Sequence, residues 1–190
     1  MRSHFIKRPG NNRHDRPVIG RQRFVLGPRP ADMFRSGSFV AETLDGVDGG
    51  AVAAEQVQPN GVDLTLGAVF QPSEPGRIDS DSTYVADRKE ISPDGGIYRL
   101  DPGRYVVRYG DPVRIPTDHV GFIYPRSSLL RNGCTLDTAV WDAGYEGVGE
   151  GLLEVGHRIE IESGARICQL VLANADHDQT YDGSYQEEHL

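Results

Sequence analysis

Residues 125–133, Pro-Arg-Ser-Ser-Leu-Leu-Arg-Asn-Gly, concentrate two guanidinium groups and two hydroxyls directly after a strand-like run. If Ser127 or Ser128 begins a short helix, its free backbone N–H groups form an anion site that the helix dipole favours. Arg126 and Arg131 would then add charge-assisted hydrogen bonds to phosphate oxygens. A serine-capped helix with two surface arginines explains the same residues, and this stretch taken alone favours that structural explanation.

A second candidate for chemistry is Asp142, which stands between the apolar pair Val140–Trp141 and a glycine-flanked tyrosine, Tyr145. A carboxylate that emerges from an apolar strand into a glycine-rich turn can hold a water and act as a general base. The ring of Tyr145 can pack on a sugar or a base. The alternative is a turn aspartate that accepts hydrogen bonds from nearby backbone N–H groups, which is common.

Three further polar residues lie in or beside strand-like runs. Asp63 interrupts the apolar stretch 62–70, and a buried carboxylate needs partners, so we expect it to support an arginine or bond backbone amides rather than to catalyse. Arg166 follows a turn, and Gln169 lies in the next strand, where it can contact a polar ligand or another subunit. The alternative for both is an alternating strand with exposed polar positions.

The charge of the chain is uneven. Its net charge is −8, yet residues 1–30 hold eight Arg or Lys residues against a single Asp, which leaves −15 on residues 31–190. Lys7 and Lys89 are the only lysines. Such an acidic surface suits high salt, where screening weakens self-repulsion, so we expect a halophilic source. It also makes nucleic acid an unfavourable partner for the main domain.

The composition also indicates the cellular compartment in which the protein works. No apolar run approaches the roughly 18 residues needed to span a membrane, so no membrane association is expected. The basic N-terminus lacks the apolar core of a secretion signal. Cys134 and Cys168 form no CxxC pair. A cytoplasmic protein is therefore expected.

Many short strands between turns predict an all-β fold, a distorted β-barrel or jelly-roll-like sandwich with few short helices. We expect a basic, disordered N-terminal extension at residues 1–32, a β domain at 33–176, and a flexible polar tail at 177–190. The best helix candidates are residues 31–43 and the serine-capped stretch 127–132.

Taken in order, these stretches resemble the superfamily of trimeric dUTP diphosphatases and dCTP deaminases, and most closely the archaeal dUTPase branch within the dCTP deaminase family. The resemblance covers residues 34–186. It rests on G-V-D-L at 61–64, R-S-S-L-x-R-x-G at 126–133, V-x-D-x-x-Y-x-G at 140–147, G-x-R-I-x-Q-L-V at 164–171, and a tail of Tyr and Gly.

The resemblance implies a barrel-like dUTPase fold, a homotrimer with sites between subunits, and a deoxynucleoside triphosphate that carries Mg²⁺ on its phosphates. No metal ligands on the protein itself are expected. By position in the motifs, the resemblance assigns each candidate residue a role. It implies phosphate contacts for Arg126, Ser127, Ser128 and Arg131, water activation for Asp142, and deoxyribose packing for Tyr145. It also implies a place near the phosphates or the subunit interface for Gln169, support for Asp63 and Arg166, and nucleotide cover for Tyr181 or Tyr185.

Hydrolysis and deamination are both possible within this superfamily. Here the segment around Asp142 is one residue shorter than the usual deaminase motif, its histidine is missing, and Tyr145 replaces a tryptophan. Glu150 and Glu154 are possible deaminase carboxylates, but each is displaced by two positions from the usual spacing. We therefore predict hydrolysis of dUTP to dUMP and pyrophosphate. The alternatives are a dCTP deaminase, a bifunctional deaminase and dUTPase, and a non-catalytic nucleotide-binding regulator.

Overall fold

The structure, a computed structural model, describes residues 33–190. The basic extension predicted at residues 1–32 lies outside the described residues. The regular secondary structure of residues 33–190 is mostly antiparallel strands, which confirms the prediction of an all-β fold with few short helices. No helix in it is long and apolar enough to cross a membrane.

Within residues 33–190, two short α-helices and two single 3₁₀ turns accompany the strands. The helices are α1 (Gly37–Leu44) and α2 (Ser127–Arg131), and the turns span Val47–Gly49 and Ala54–Gln56. The strands are β1 (Val57–Gln58), β2 (Gly61–Pro72), β3 (Arg77–Ile78), β4 (Thr83–Tyr84), β5 (Arg88–Glu90), β6 (Ile97–Leu100), β7 (Gly103–Tyr109), β8 (Val113–Arg114), β9 (His119–Pro125), β10 (Cys134–Asp137), β11 (Glu146–Gly147), β12 (Glu150–Val155), β13 (Ile159–Glu162) and β14 (Arg166–Asn174).

The main sheet follows the order β10–β12–β7–β2–β14–β9, and β1 and β5 pair with β2 outside this path. Its end strands, β10 and β9, lie close together and line a shared cavity of about 380 Å³. The sheet therefore closes almost completely on itself, in agreement with the predicted barrel. Three two-stranded pieces, β8–β11, β6–β13 and β3–β4, complete the described part of the chain.

The barrel interior follows from the two-residue period of the strands. In β7, Tyr105, Val107 and Tyr109 are buried while the residues between them are partly exposed, and in β12 the same holds for Gly151 and Leu153. Alternate side chains of a strand point to opposite faces, so these residues fill one core.

The helices are set by local contacts. Ser36 caps α1 because its hydroxyl accepts a hydrogen bond from the Phe39 N–H at 3.3 Å. The predicted helix at 31–43 is therefore observed from Gly37 onward. Its first residue is a glycine, and any side chain there would collide with the Gln58 carbonyl oxygen. The prediction for 127–132 is confirmed to within one residue, and Leu129 anchors α2 in the core.

Candidate active site

Asp63 forms the centre of a buried polar cluster beside α2. Its carboxylate lies 3.1 Å from Arg126 Nε and 3.3 Å from Arg166 Nη1, and its side chain is only 2% exposed. Burial raises the pKa of Asp63, while the two guanidinium groups act in the opposite direction. The carboxylate thus holds two arginines side by side, as expected for a supporting residue.

A bulge in β14 explains how Arg166 and Gln169 reach the same cluster. Three positions apart, they would face opposite sides of a regular strand. The register shifts between Arg166 and Cys168, so that Gln169 stands opposite Asp63. The extra residue turns both side chains toward one face. The sequence motif contained both residues, but nothing in its spacing indicated the bulge.

The start of α2 presents the groups expected to contact phosphate. Arg126 is the N-cap, and its Nη1 donates to the Arg166 carbonyl oxygen at 3.2 Å. Ser127, Ser128 and Arg131 are exposed, and their side chains make no hydrogen bond or ion pair to residues 33–190. Two hydroxyls, one free guanidinium group and the first N–H groups of the helix are therefore available to an anion.

Gln169 lies between two cross-strand neighbours, of which the sequence motifs include only one. In the sheet it stands opposite Asp63 on β2 and opposite Tyr124 on β9. Tyr124 is 61% exposed and lies outside the motifs on which the sequence prediction rests. Its position two residues before Arg126 was the available signal, because it makes the aromatic ring a neighbour of the arginine cluster.

Asp142 lies in a different part of the fold, just after a bridge between Trp141 and Gly121 of β9. The Trp141 N–H donates to the Gly121 oxygen at 3.1 Å, and the Gly121 N–H donates back at 2.8 Å. Asp142 itself is exposed, lines a cavity of about 550 Å³, and has no side-chain partner among residues 33–190. Its carboxylate is thus open to a ligand or a water in that cavity.

Tyr145 is buried, although it was expected to pack on a sugar. It is 6% exposed and lies edge-on between two rings, with centroids 5.0 Å from Trp141 and 5.5 Å from Tyr181 of the tail. Burial, followed by the nearby Glu188, raises the pKa of Tyr145 to about 12. Tyr185 by contrast is 48% exposed.

The two possible deaminase carboxylates are already engaged. Glu150 accepts two hydrogen bonds from Arg88, one of them at 2.7 Å, and a third from Arg108 Nε at 3.1 Å. Both guanidinium groups lie over the Phe70 ring, at 4.6 and 4.9 Å from its centroid. Glu154 accepts from Arg104 Nε at 2.6 Å. Within one chain, both glutamates are thus paired with arginines.

The two halves of the candidate site lie at different points along β9, one near its start and the other just past its last residue. Gly121, which pairs with Trp141 next to Asp142, and Arg126 are five positions apart, so their Cα atoms are separated by roughly 16 Å at about 3.3 Å per residue. The cavity beside Asp142 is lined by Asp142, Ala143, His177, Gln179, Thr180, Tyr181, Asp182 and Gly183, and thus by no residue of α2.

Neither metal nor disulfide chemistry is prominent in the described part of the chain. No group of three or more His, Cys, Asp and Glu side chains in residues 33–190 is arranged to hold a metal ion. Cys134 and Cys168 are both buried as free thiols.

The sequence is similar to a known protein family and to several curated proteins. The model of a family described as dCTP deaminase-like matches residues 34–175. A curated relative from Halobacterium salinarum, named "Probable deoxyuridine 5'-triphosphate nucleotidohydrolase", is 51% identical over 162 residues, which cover 82% of this chain and 95% of that protein. The protein named "Deoxyuridine 5'-triphosphate nucleotidohydrolase" from Methanocaldococcus jannaschii is 40% identical over 137 residues, covering 70% of this chain and 88% of that one.

Among solved structures, the fold is similar to that of 2'-deoxycytidine 5'-triphosphate deaminase from Agrobacterium tumefaciens, with a TM-score of 0.57 and 20% identity. The match covers 75% of this chain and 48% of that chain, so this chain spans about half the length of that deaminase. At this identity the likeness concerns the fold alone.

Proposed function

The chain belongs to the dCTP deaminase-like family, and on that premise we propose that it hydrolyses dUTP to dUMP and pyrophosphate. The observation that carries the choice is the contrast between its carboxylates. Glu150 and Glu154 are bound to arginines, whereas Asp142 lines a cavity without a side-chain partner in the described chain. Asp142 is therefore available to activate a water, whereas the two candidate deaminase carboxylates are held by arginines.

The phosphate end of the site is the cluster beside α2. Arg126, held by Asp63, and the free Arg131 supply positive charge, while Ser127 and Ser128 supply hydroxyl donors. Guanidinium groups bind phosphate oxygens through paired hydrogen bonds, and fixing Arg126 beforehand reduces the entropy lost on binding. In this proposal Gln169 donates an amide N–H at the edge of the same cluster.

Asp142 acts as the general base. It takes a proton from a water whose oxygen then bonds to the α-phosphorus, while the bond from that phosphorus to the bridging oxygen breaks and pyrophosphate leaves. A Mg²⁺ ion brought in on the phosphates would neutralise part of their charge.

Both halves of the site must meet at one triphosphate, yet in a single chain the β9 residues that position them, Gly121 and Arg126, have Cα atoms roughly 16 Å apart. We infer that one copy supplies Arg126 and its neighbours while another supplies Asp142. A closed ring of three copies, which the resemblance implies, repeats this contact three times.

Product analysis tests the proposed reaction. Purified protein is incubated with Mg²⁺ and either dUTP or dCTP, and the nucleotides and pyrophosphate are resolved. We expect dUMP and pyrophosphate from dUTP and no reaction with dCTP. Release of dUTP from dCTP would establish a deaminase instead, dUMP from dCTP would establish both steps, and tight binding without products would establish a regulator.

A further inference from the structure

Trp141, the residue directly before Asp142, is enclosed in the core of the barrel. Its side chain is buried, and its Nε1 makes no hydrogen bond within residues 33–190. The ring is therefore held in place by packing alone. Because a single peptide unit joins Trp141 to Asp142, any movement of the ring is passed on to the carboxylate.

Backbone without side chains lies against Trp141 on two sides. A Cβ at Gly149, just before β12, would lie 1.8 Å from Cη2 and 2.6 Å from Cζ3 of the ring, and a Cβ at Gly121 would lie 3.0 Å from Trp141 Cβ. Neither glycine has a positive φ, so close approach, not backbone conformation, accounts for glycine at both positions. The Tyr109 N–H donates to the Gly149 oxygen at 3.1 Å, which ties the backbone beside the ring to β7.

Aromatic contacts close the turn that carries Asp142. The centroids of Trp141 and Tyr145 lie 5.0 Å apart at an interplanar angle of 80°, an edge-to-face arrangement that aromatic pairs prefer. Tyr109 flanks Trp141 from β7 with a centroid separation of 6.1 Å. Residues 141 and 145 thus touch across the turn, and Asp142 lies on the arc between them.

Hydrogen bonds fix the backbone at both ends of the same turn. Trp141 is held by its bridge to Gly121. At the other end, the Gly144 N–H donates to the Ile115 oxygen at 2.9 Å, and the Ile115 N–H donates to the Tyr145 oxygen at 2.8 Å. The Asp142 side chain has no partner of its own among residues 33–190, so its neighbours set the direction of its carboxylate.

We propose that Trp141 is a positioning residue, and that its ring, seated against the backbone of Gly149 and edge-on to Tyr145, fixes the Asp142 carboxylate in the direction of the water. This inference rests on the proposed function, because it takes Asp142 as the base. A general base must lie within hydrogen-bond reach of the proton that it abstracts, and a misplacement of about 1 Å can cost roughly a hundredfold in rate. Trp141 therefore acts on kcat through Asp142 alone.

A double-variant series with Asp142→Asn tests this coupling. Trp141→Leu should lower kcat for dUTP roughly thirtyfold with the KM nearly unchanged. Once Asp142→Asn has removed the base, adding Trp141→Leu should lower kcat by less than about threefold further, because no base is left to position. Tyr105→Leu, a buried aromatic of the same core nearer the start of β7, is the control and should leave kcat unchanged. Losses that multiply, a KM that rises in place of a falling kcat, or an equal loss in Tyr105→Leu would overturn the proposal.

A second pair of variants disturbs the seat of the ring without deleting it. Gly149→Ala places a carbon where the Trp141 ring lies, so kcat should fall roughly tenfold. Trp141→Phe shortens the ring, and adding it to Gly149→Ala should restore kcat to the value of Trp141→Phe alone. Gly103→Ala, whose Cβ would meet no atom closer than 3.5 Å, is the control. A double variant that is slower than either single variant would contradict the proposed seat.

Fluorescence separates this inference from the proposed function, because Trp141 is the only tryptophan in the chain. Without any nucleotide, Gly149→Ala should shift its emission to longer wavelength as the ring moves toward solvent, while Gly103→Ala should not. If the emission of Gly149→Ala is unchanged, the positioning role is wrong even where dUTP is hydrolysed. If the wild type releases no pyrophosphate from dUTP, the proposed function is wrong even where the emission shifts.

Discussion

At the scale of single residues, two aspartates show how environment decides role. Asp63 is buried between two guanidinium groups, whereas Asp142 is exposed and unpaired within the described chain. The Asp63 carboxylate is occupied by two arginines and serves to hold them, while a free carboxylate beside a cavity can contact a water and abstract its proton. The two residues therefore predict different kinetic consequences.

Asp142→Asn removes the proposed base with little change in shape. We expect kcat for dUTP to fall about a thousandfold with KM nearly unchanged, because general bases contribute roughly 10²–10⁴-fold. Steady-state pyrophosphate release measures both constants. Asp137→Asn, an exposed aspartate on β10, is the control. Full kcat in Asp142→Asn would exclude Asp142 as the base.

Asp63→Asn keeps the packing but loosens Arg126 and Arg166. We expect the KM for dUTP to rise about tenfold while kcat changes little, because fixed arginines bind phosphate at lower entropic cost. Steady-state kinetics with Asp48→Asn as the exposed control measures this. An unchanged KM would show that Asp63 does not position the arginines.

The pH dependence of stability provides a separate check on Asp63. Burial raises its pKa in the folded state above the ordinary value of 3.8. The folded protein therefore holds this proton more tightly than the unfolded chain, and the associated stability is present below pH 3.8 and lost as the pH rises through the folded pKa. Denaturant unfolding from pH 3 to 7 should show wild type losing stability relative to Asp63→Asn; a relative gain would contradict the shift.

At the scale of elements, close backbone contacts position the cluster. A Cβ at Gly61 of β2 would lie 2.2 Å from the Leu170 oxygen and 2.8 Å from Gln169 Nε2. The absence of a side chain at Gly61 thus allows β2 and β14 to approach and leaves room for Gln169.

Gly61→Ala should therefore lower the free energy of unfolding by about 2 kcal/mol, within the range for overpacked sites, and should raise the KM for dUTP. Gly103→Ala is the control, because its Cβ would meet no atom closer than 3.5 Å. Denaturant unfolding measures the first effect. Equal stability of the two variants would show that β2 and β14 tolerate the extra carbon.

Sequence reasoning predicted the elements better than their contacts. Alternation at 62–70 and the serines at 127–132 identified β2 and α2, because these signals are local. The β14 bulge, the arginine partners of Glu150 and the covering of Tyr145 by Tyr181 join residues that are distant in sequence. No spacing rule encodes such contacts, so the sequence indicated which residues matter but not which of them are free.

At the scale of the whole molecule, charge is the dominant feature. The excess of −15 on residues 31–190 is spread over one compact unit, and its carboxylates repel one another. The arginine cluster at α2 is a local exception that can still attract a triphosphate.

Salt should therefore stabilise the protein. Raising KCl from about 0.1 M to 2 M shortens the Debye length from roughly 10 Å to less than 3 Å and screens the repulsion, so we expect the Tm to rise by several degrees. Thermal unfolding at matched pH measures this, with sucrose at equal osmolality as the control. A Tm that falls with salt would show that attractive ion pairs outweigh the repulsion.

The division of the site between copies can be measured by mixing two inactive variants. Asp142→Asn and Arg126→Ala are unfolded together at equal amounts, refolded, and assayed for pyrophosphate release from dUTP. If one copy supplies Asp142 and its neighbour supplies Arg126, about a quarter of the contacts join two intact halves, and about a quarter of wild-type activity returns. Activity no greater than that of the separately refolded variants would place both residues in a site within one chain and contradict the account.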